Sequence, residues 1–333
     1  MKHANISLFV PHMGCPHQCS FCNQKTISGA VEVLTPEAVR VTLEKAIGDK
    51  NEPLNTEVAF FGGSFTAIDR DYMVSLLEAS RPFIEKGFFS GVRISTRPDA
   101  IDDEILDILK KYHVKSIELG AQSTDPQVLA LNKRGHTRED IFEASRLIKS
   151  RGFSLGLQMM TGLLGDTDEK SLKTCDDIIA LKPDTVRIYP TVVLEGTLLS
   201  TKYKNGEYTP QTLESAVALC GKLLRKFHHN QIRVIRLGLH SGGNVEEGFV
   251  AGAYHPAFGE LCESAVYLDI LKERLASYEG EKDLIVWVKP SEISKMTGHK
   301  GCNKQQLLNE GYTVTVKGDE GLSKYELKLK GRK

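Results

Sequence analysis

A chain of 333 residues with 41% hydrophobic and 26% charged side chains has the balance of a globular protein, with room for one large α/β domain and a smaller appendage. Its 43 basic residues are matched by 43 acidic ones, which removes any global electrostatic argument for a nucleic-acid partner and leaves only a local basic face open. No apolar run approaches the roughly 20 residues of a membrane span, and the N-terminus MKHANISLFVPHMGC does not read as a signal peptide, so a cytoplasmic protein without membrane contact is expected.

In chain order, the first apolar run, ISLFVP at 6–11, predicts a strand, and a cysteine-rich segment follows it directly. Thr35-Pro36-Glu37-Ala38 offers an N-cap, a proline at the first helical position and an early acid, the start of a helix. EVAFFGGSF at 57–65 and GVRISTRP at 91–98 predict the next two strands, and DAIDDEILDILKKYH at 99–113 a helix. SIELGAQS at 116–123, the helical TREDIFEASRLIKSRG at 137–152, SLGLQMMTG at 154–162, DTVRIYPTVV at 184–193 and QIRVIRLGL at 231–239 continue the alternation. Such alternation predicts an α/β fold with a parallel sheet, a barrel or partial barrel of βα units whose chemistry lies at the C-terminal ends of the strands. After about residue 241 the glycine-rich SGGNVEEGFVAGAYHPAFGELCES leads into a helix, AVYLDILKERLASYEG, and a tail with strands at 284–290 and 312–318 and a short helix from Pro290 to Lys295. The expected domains are 1–240 and 241–333.

Of seven cysteines, Cys15, Cys19 and Cys22 crowd into one loop, and Cys175, Cys220, Cys262 and Cys302 are scattered, a pattern of metal or redox chemistry rather than a disulfide framework. Three thiolates leave one iron of a 4Fe-4S cubane without a protein ligand and free for a small molecule. The competing expectation is a structural zinc site completed by His17 or a distant ligand, whose usual cue, a second CxxC-type pair, is missing.

Gly62-Gly63-Ser64-Phe65 ends the second strand, where two glycines let backbone approach a ligand closely. Polar side chains recur on the strands that follow: Ser95, Thr96 and Arg97; Glu118, Gln122 and Ser123; Gln158; Arg187 and Tyr189. Arg97 or Arg187 suits a carboxylate, and Glu118 suits ribose hydroxyls or an amine. Arg134-Gly135-His136-Thr137 reads as a loop and then a helix cap, which makes Thr137 structural. Tyr254 to Glu260 reads equally as a substrate-facing cluster or a turn that closes the barrel, and His228-His229 as a solvated pair.

With those residues in place, the stretches GGSFT, ISTRPD, ELGAQS, KRGHT, QMMTGL, RIYPTVVLEGT and YHPAFGE resemble, in order, the motifs of the radical S-adenosylmethionine (SAM) superfamily, and more closely those of the Elongator catalytic subunit and its short bacterial relatives. The resemblance covers about residues 5 to 265. It implies a partial (β/α)6 barrel, a 4Fe-4S cluster on Cys15, Cys19 and Cys22, and reductive cleavage of SAM to a 5′-deoxyadenosyl radical that abstracts hydrogen. It also implies Phe21 near the adenine, Gly62 and Gly63 at the methionyl amine, and Ser95, Glu118, Gln158 and Arg187 lining the SAM pocket, with Ser64, Arg97 and Tyr189 as further cofactor-binding candidates. Implied partners are a reducing electron donor of flavodoxin or ferredoxin type and tRNA. Two features depart from the Elongator subunit: the first cysteine gap is shorter, and residues 261–333 offer no counterpart to the acetyltransferase domain that follows there. The competing expectations are the same radical chemistry on a small metabolite or peptide, and a non-catalytic zinc-bound protein.

Overall fold

The computed structural model describes residues 4–10, 15, 18–23, 33–48, 55–239 and 243–332. Seven parallel strands form one curled, open sheet: β1 (Ala4–Val10), β2 (Thr56–Gly62), β3 (Val92–Thr96), β4 (Val114–Gln122), β5 (Ser154–Thr161), β6 (Thr185–Pro190) and β8 (Arg233–Leu237). They lie side by side in chain order, with β7 (Val192–Leu194) outside this sheet. This is the expected α/β partial barrel, carried one strand beyond six.

The period-2 pattern of each strand sorts its residues between two environments. Val58 and Phe60, Val92 and Ile94, Ile117 and Leu119, Leu155 and Leu157, and Val186 and Ile188 are fully buried in the core under the helices. The alternate positions, Glu57, Arg93, Ser95, Glu118, Gln158, Arg187 and Tyr189, line the concave face. One helix, Pro36–Ile47, is capped by Thr35 as expected, and another, Arg138–Ser150, starts with a reciprocal capping box between Thr137 and Asp140.

Three expectations change. The run at 184–193 divides at Pro190, which has no N–H to continue the ladder; Val192–Leu194 becomes β7 and pairs antiparallel with β9, Phe249–Gly252, inside the segment read as polar and glycine-rich. The helix expected from residue 265 starts earlier and spans Phe258–Leu275. The tail contains a helix, Cys302–Asn309, and a third strand that the sequence reading left out: β12 (Leu327–Gly331) joins β10 (Asp283–Val288) and β11 (Thr313–Gly318) in the order β11-β10-β12.

Helix Phe258–Leu275 belongs to two cores. Phe258 and Cys262 pack into the main one, while Val266, Tyr267, Ile270 and Leu271 pack with Leu284, Val286 and Leu327 of the tail sheet. His228 is exposed, as expected of a solvated pair, and one edge of its ring meets Tyr325 of the tail at 4.8 Å between centroids. Among the described residues, no helix is long and apolar enough to cross a membrane.

Candidate active site

Glu118 is the hub of the concave face, with only 1% of its surface exposed. Its Oε1 accepts from Arg93 Nη1 at 2.9 Å and Arg187 Nη2 at 2.8 Å, and its Oε2 accepts from Gln158 Nε2 at 2.9 Å. Arg187 Nε also stands 2.6 Å from Oε2, off the line of a hydrogen bond. Arg93 Nε donates to Glu57 Oε2 at 2.7 Å, and Ser116 Oγ to Glu57 Oε1 at 2.9 Å, so two guanidiniums and two carboxylates form one buried, neutral chain. Gly156 makes room for it, because a Cβ there would stand 2.8 Å from Glu118 Cγ. Burial opposes the charge of Arg187, yet Glu118 and Tyr189 outweigh it and hold its pKa above the ordinary value; burial raises the Tyr189 phenol. Phe61 lies under the Arg187 guanidinium, 5.3 Å from ring centroid to cation. Four of the predicted residues, Glu118, Gln158, Arg187 and Tyr189, thus meet here, and Gln158 Nε2 reaches a fifth, Ser95 Oγ, at 3.4 Å. Glu118 accepts three hydrogen bonds, and Arg187 Nε stands against the remaining side of Oε2, so its carboxylate is crowded by its own chain's donors.

The cysteine loop sits at the mouth. Cys19 is buried, Cys22 half-buried and Cys15 exposed, and the Cys22 N–H donates to the Cys19 carbonyl at 3.2 Å. Asn132, a residue the sequence reading did not single out, holds the loop: it accepts from Ser20 N at 3.2 Å and Ser20 Oγ at 2.6 Å, and its own amide donates to Val128 O and Leu164 O. From the other side Leu199 N donates to Ser20 O at 2.8 Å and Asn23 Nδ2 to Glu195 O at 3.1 Å. Phe21 packs against Val193, Leu199 and Tyr208.

Two buried arginines stand beside the loop. Arg134 donates from Nη1 to Cys19 Sγ at 3.0 Å and from Nη2 to Gly120 O at 2.7 Å. Arg97 grips Asp99 through Nε and Nη2 at 2.9 and 2.8 Å and holds the Arg134 carbonyl at 2.5 Å. Arg97 Nη1 and Arg134 Nε are buried without a partner. Burial and Cys19 raise the Cys15 thiol, while both arginines pull it down. His136 packs behind them with Nε2 3.2 Å from Ala121 O, and burial together with Arg134 pushes its pKa down to about 4.

Gln122 ends β4 with φ 64°, next to a register shift, and its Oε1 is another buried atom without a partner.

The remaining candidates fall in less direct positions. Gly62 has φ 105°, and a Cβ there would collide with the Val10 carbonyl, so the glycine seats the end of β2 against the end of β1; half-buried Gly63 follows. Ser64 Oγ is tied to Thr96 Oγ1 at 2.8 Å and to the Arg97 N–H at 3.2 Å, within the walls rather than the cavity. Tyr254 Oη donates to Glu246 Oε1 at 2.7 Å, and His255 Nδ1 accepts from Ala257 N at 3.0 Å, so this segment satisfies its polar atoms at the β8 edge. Cys175, Cys220 and Cys262 are buried, the first with its pKa pushed up to about 12 by burial, and Cys302 is exposed.

Three thiols in one loop, flanked by two buried guanidiniums with N–H groups to spare, suit a cluster of anionic thiolates better than one divalent ion. Among the described residues, no three Cys, His, Asp or Glu side chains stand at the spacing of a single bound metal. His17, the suggested zinc ligand, lies outside the described residues.

The family model of the Radical SAM superfamily matches residues 9–178, and that of the Radical_SAM C-terminal domain residues 183–267. A tRNA uridine(34) acetyltransferase of Methanocaldococcus jannaschii is 32% identical over 49% of this chain and 34% of its own length. Human Elongator complex protein 3 is 29% identical over 50% of this chain and again 34% of its own. The chain therefore spans about a third of the length of these curated relatives. In three dimensions, archaeal Elp3 of Methanocaldococcus infernus superposes with a TM-score of 0.61 at 23% identity, covering 82% of this chain and 63% of that one, which shows a shared fold. With more than half of its residues inside the superfamily model, the chain is a radical SAM enzyme and belongs to the radical SAM superfamily.

Proposed function

We propose that Cys15, Cys19 and Cys22 hold a 4Fe-4S cluster, that SAM binds between the loop and the concave face, and that the substrate is an RNA of the tRNA class. The observation that carries the reading is the bond from Arg134 to Cys19, which joins the cysteine loop to the C-terminal end of β4 through Gly120 and so sets it over the polar row on Glu118. The bound cluster would supply the electron for reductive cleavage of SAM to a 5′-deoxyadenosyl radical. The chain's own residues would do the rest: Gly62 and Gly63 admit the methionyl amine, Phe21 walls the adenine, and Gln158, Arg187, Tyr189 and Ser95 orient the polar groups of the ligand. In this reading Glu118 positions Gln158 and Arg187, and the free N–H of Arg97 faces anionic charge at the mouth.

The relatives named as tRNA-modifying enzymes support the substrate class. A low-potential donor of flavodoxin or ferredoxin type would deliver the electron, and residue 241 would divide a catalytic unit from its extension. The test is anaerobic reconstitution with iron and sulfide, then dithionite and SAM, with iron and 5′-deoxyadenosine both quantified. About four irons per chain and deoxyadenosine release, both lost in Cys19→Ala, is the expected result; zinc without deoxyadenosine would overturn it.

A further inference from the structure

The tail sheet has two unlike faces. Leu284, Val286 and Val288 of its central strand point with Val314 and Leu327 into the second core. Asp283, Ile285 and Trp287 point the other way. The strand register places Trp287 between Lys317 on β11 and Lys328 on β12, and Ile285 between Thr315 and Lys330. Lys317, Lys328 and Lys330 are exposed, as is Lys289 just beyond the strand, whereas Trp287 is half-buried at the centre. In a chain of zero net charge, three strand lysines and Lys289 against Asp283 and Asp319 around a single indole is a local departure.

We propose that this face binds RNA, stacking an unpaired base on Trp287 while Lys317, Lys328 and Lys330 engage the flanking phosphates. The inference rests on the reading that the substrate is an RNA, and adds where that RNA is held outside the concave face. An aromatic ring on a flat sheet, ringed by cations, is the arrangement that reads single-stranded nucleic acid: the ring takes any base and the cations follow the backbone. A protein partner fits less well, because lysine is depleted from protein interfaces. Lys328 is held 3.0 Å from Asp319 on the surface, a pair weak enough to exchange for phosphate. Asp283 lies at the far end of β10, two strand positions beyond Ile285.

The chain contains one tryptophan, so emission excited to the red of tyrosine absorption reports on this face. The reconstituted 333-residue protein is titrated with an unmodified tRNA transcript and with oligouridylate, following tryptophan emission and, separately, anisotropy of end-labelled RNA. Saturable quenching is expected, with an affinity that falls steeply with salt. Trp287→Ala should weaken binding by about tenfold or more, Trp287→Tyr should restore most of it, and the double variant Lys317→Glu/Lys328→Glu should abolish both signals while keeping the wild-type thermal melt. RNA binding with unchanged emission and unaffected variants would overturn the inference and leave the RNA-substrate reading standing. Absence of RNA binding by the wild type would overturn both. Heparin, which has the charge but no bases, should compete without quenching; quenching by heparin equal to that by RNA would overturn the stacking part.

Discussion

The floor of the concave face and its mouth are built from the same residue types and treat them in opposite ways. At the floor, Arg93 and Arg187 are closed off by Glu57 and Glu118. At the mouth, Arg97 and Arg134 are also buried and each keeps an N–H without a partner; the unbonded N–H at the floor, on Arg187 Nε, still stands 2.6 Å from Glu118 Oε2, whereas Arg134 spends another of its own on a cysteine sulfur. A closed ionic chain rigidifies a wall; open cations prepare a place for negative charge. The difference separates the residues that shape the site from those that face its contents.

Substitutions can break or sharpen that contrast. The largest effect is expected at the floor, where Glu118→Ala strands the Arg187 guanidinium, leaves Arg93 with Glu57 alone and should cost about 3–5 kcal/mol in urea unfolding; a loss no greater than that of an exposed glutamate would show that the chain is not closed. Next comes the mouth's response to pH. The His136 value of about 4 lies below the ordinary 6.5, so the unfolded chain takes up the proton first as pH falls. Stability should be complete above pH 6.5 and decline toward pH 4 by up to about 3 kcal/mol. His136→Gln should flatten that part of the curve, and an unchanged curve would place the acid sensitivity elsewhere.

Arg134→Met should be smaller in stability, about 1–2 kcal/mol, and visible mainly in the metal. Loss of a cation and an N–H···S bond should lower the midpoint potential of the reconstituted cluster in an EPR redox titration without SAM, with Arg134→Lys intermediate. An unshifted potential at full iron content would reduce Arg134 to a structural strut. The smallest effect is expected for Ser64→Ala, about 1 kcal/mol with unchanged SAM affinity, because its hydroxyl bonds Thr96 and Arg97 within the walls; a loss of SAM affinity alone would return Ser64 to the cavity.

The strand-end residues were legible because a polar side chain inside an apolar, alternating run has few places to go. The same alternation places Arg93, two positions before Ser95, and Glu57, two before Ala59, on the concave face. Thr137 was legible because a cap is a local device. Arg134 and Asn132 were not, since their partners Cys19 and Ser20 lie 115 and 112 residues away, and nothing local distinguishes a loop arginine that reaches a distant sulfur from one that reaches solvent. β12 escaped because LKLKG offers two apolar residues, too few for a pattern unless its partner strand is known. The division of the run at Pro190 was readable in hindsight from the proline itself.

The staples on the cysteine loop also set an order of events during synthesis. Ser20 is held by Asn132 from one side and by Leu199 from the other, and Asn23 by Glu195. None of these anchors exists when the cysteines leave the ribosome, and the last, Leu199, follows Ser20 by 179 residues. The loop therefore waits, its thiols unanchored, until the sixth strand and the helix after it are in place. On the proposed reading, iron and sulfur would be delivered after that point, and a chain stalled before Leu199 would present the cysteines without the cradle that orders them.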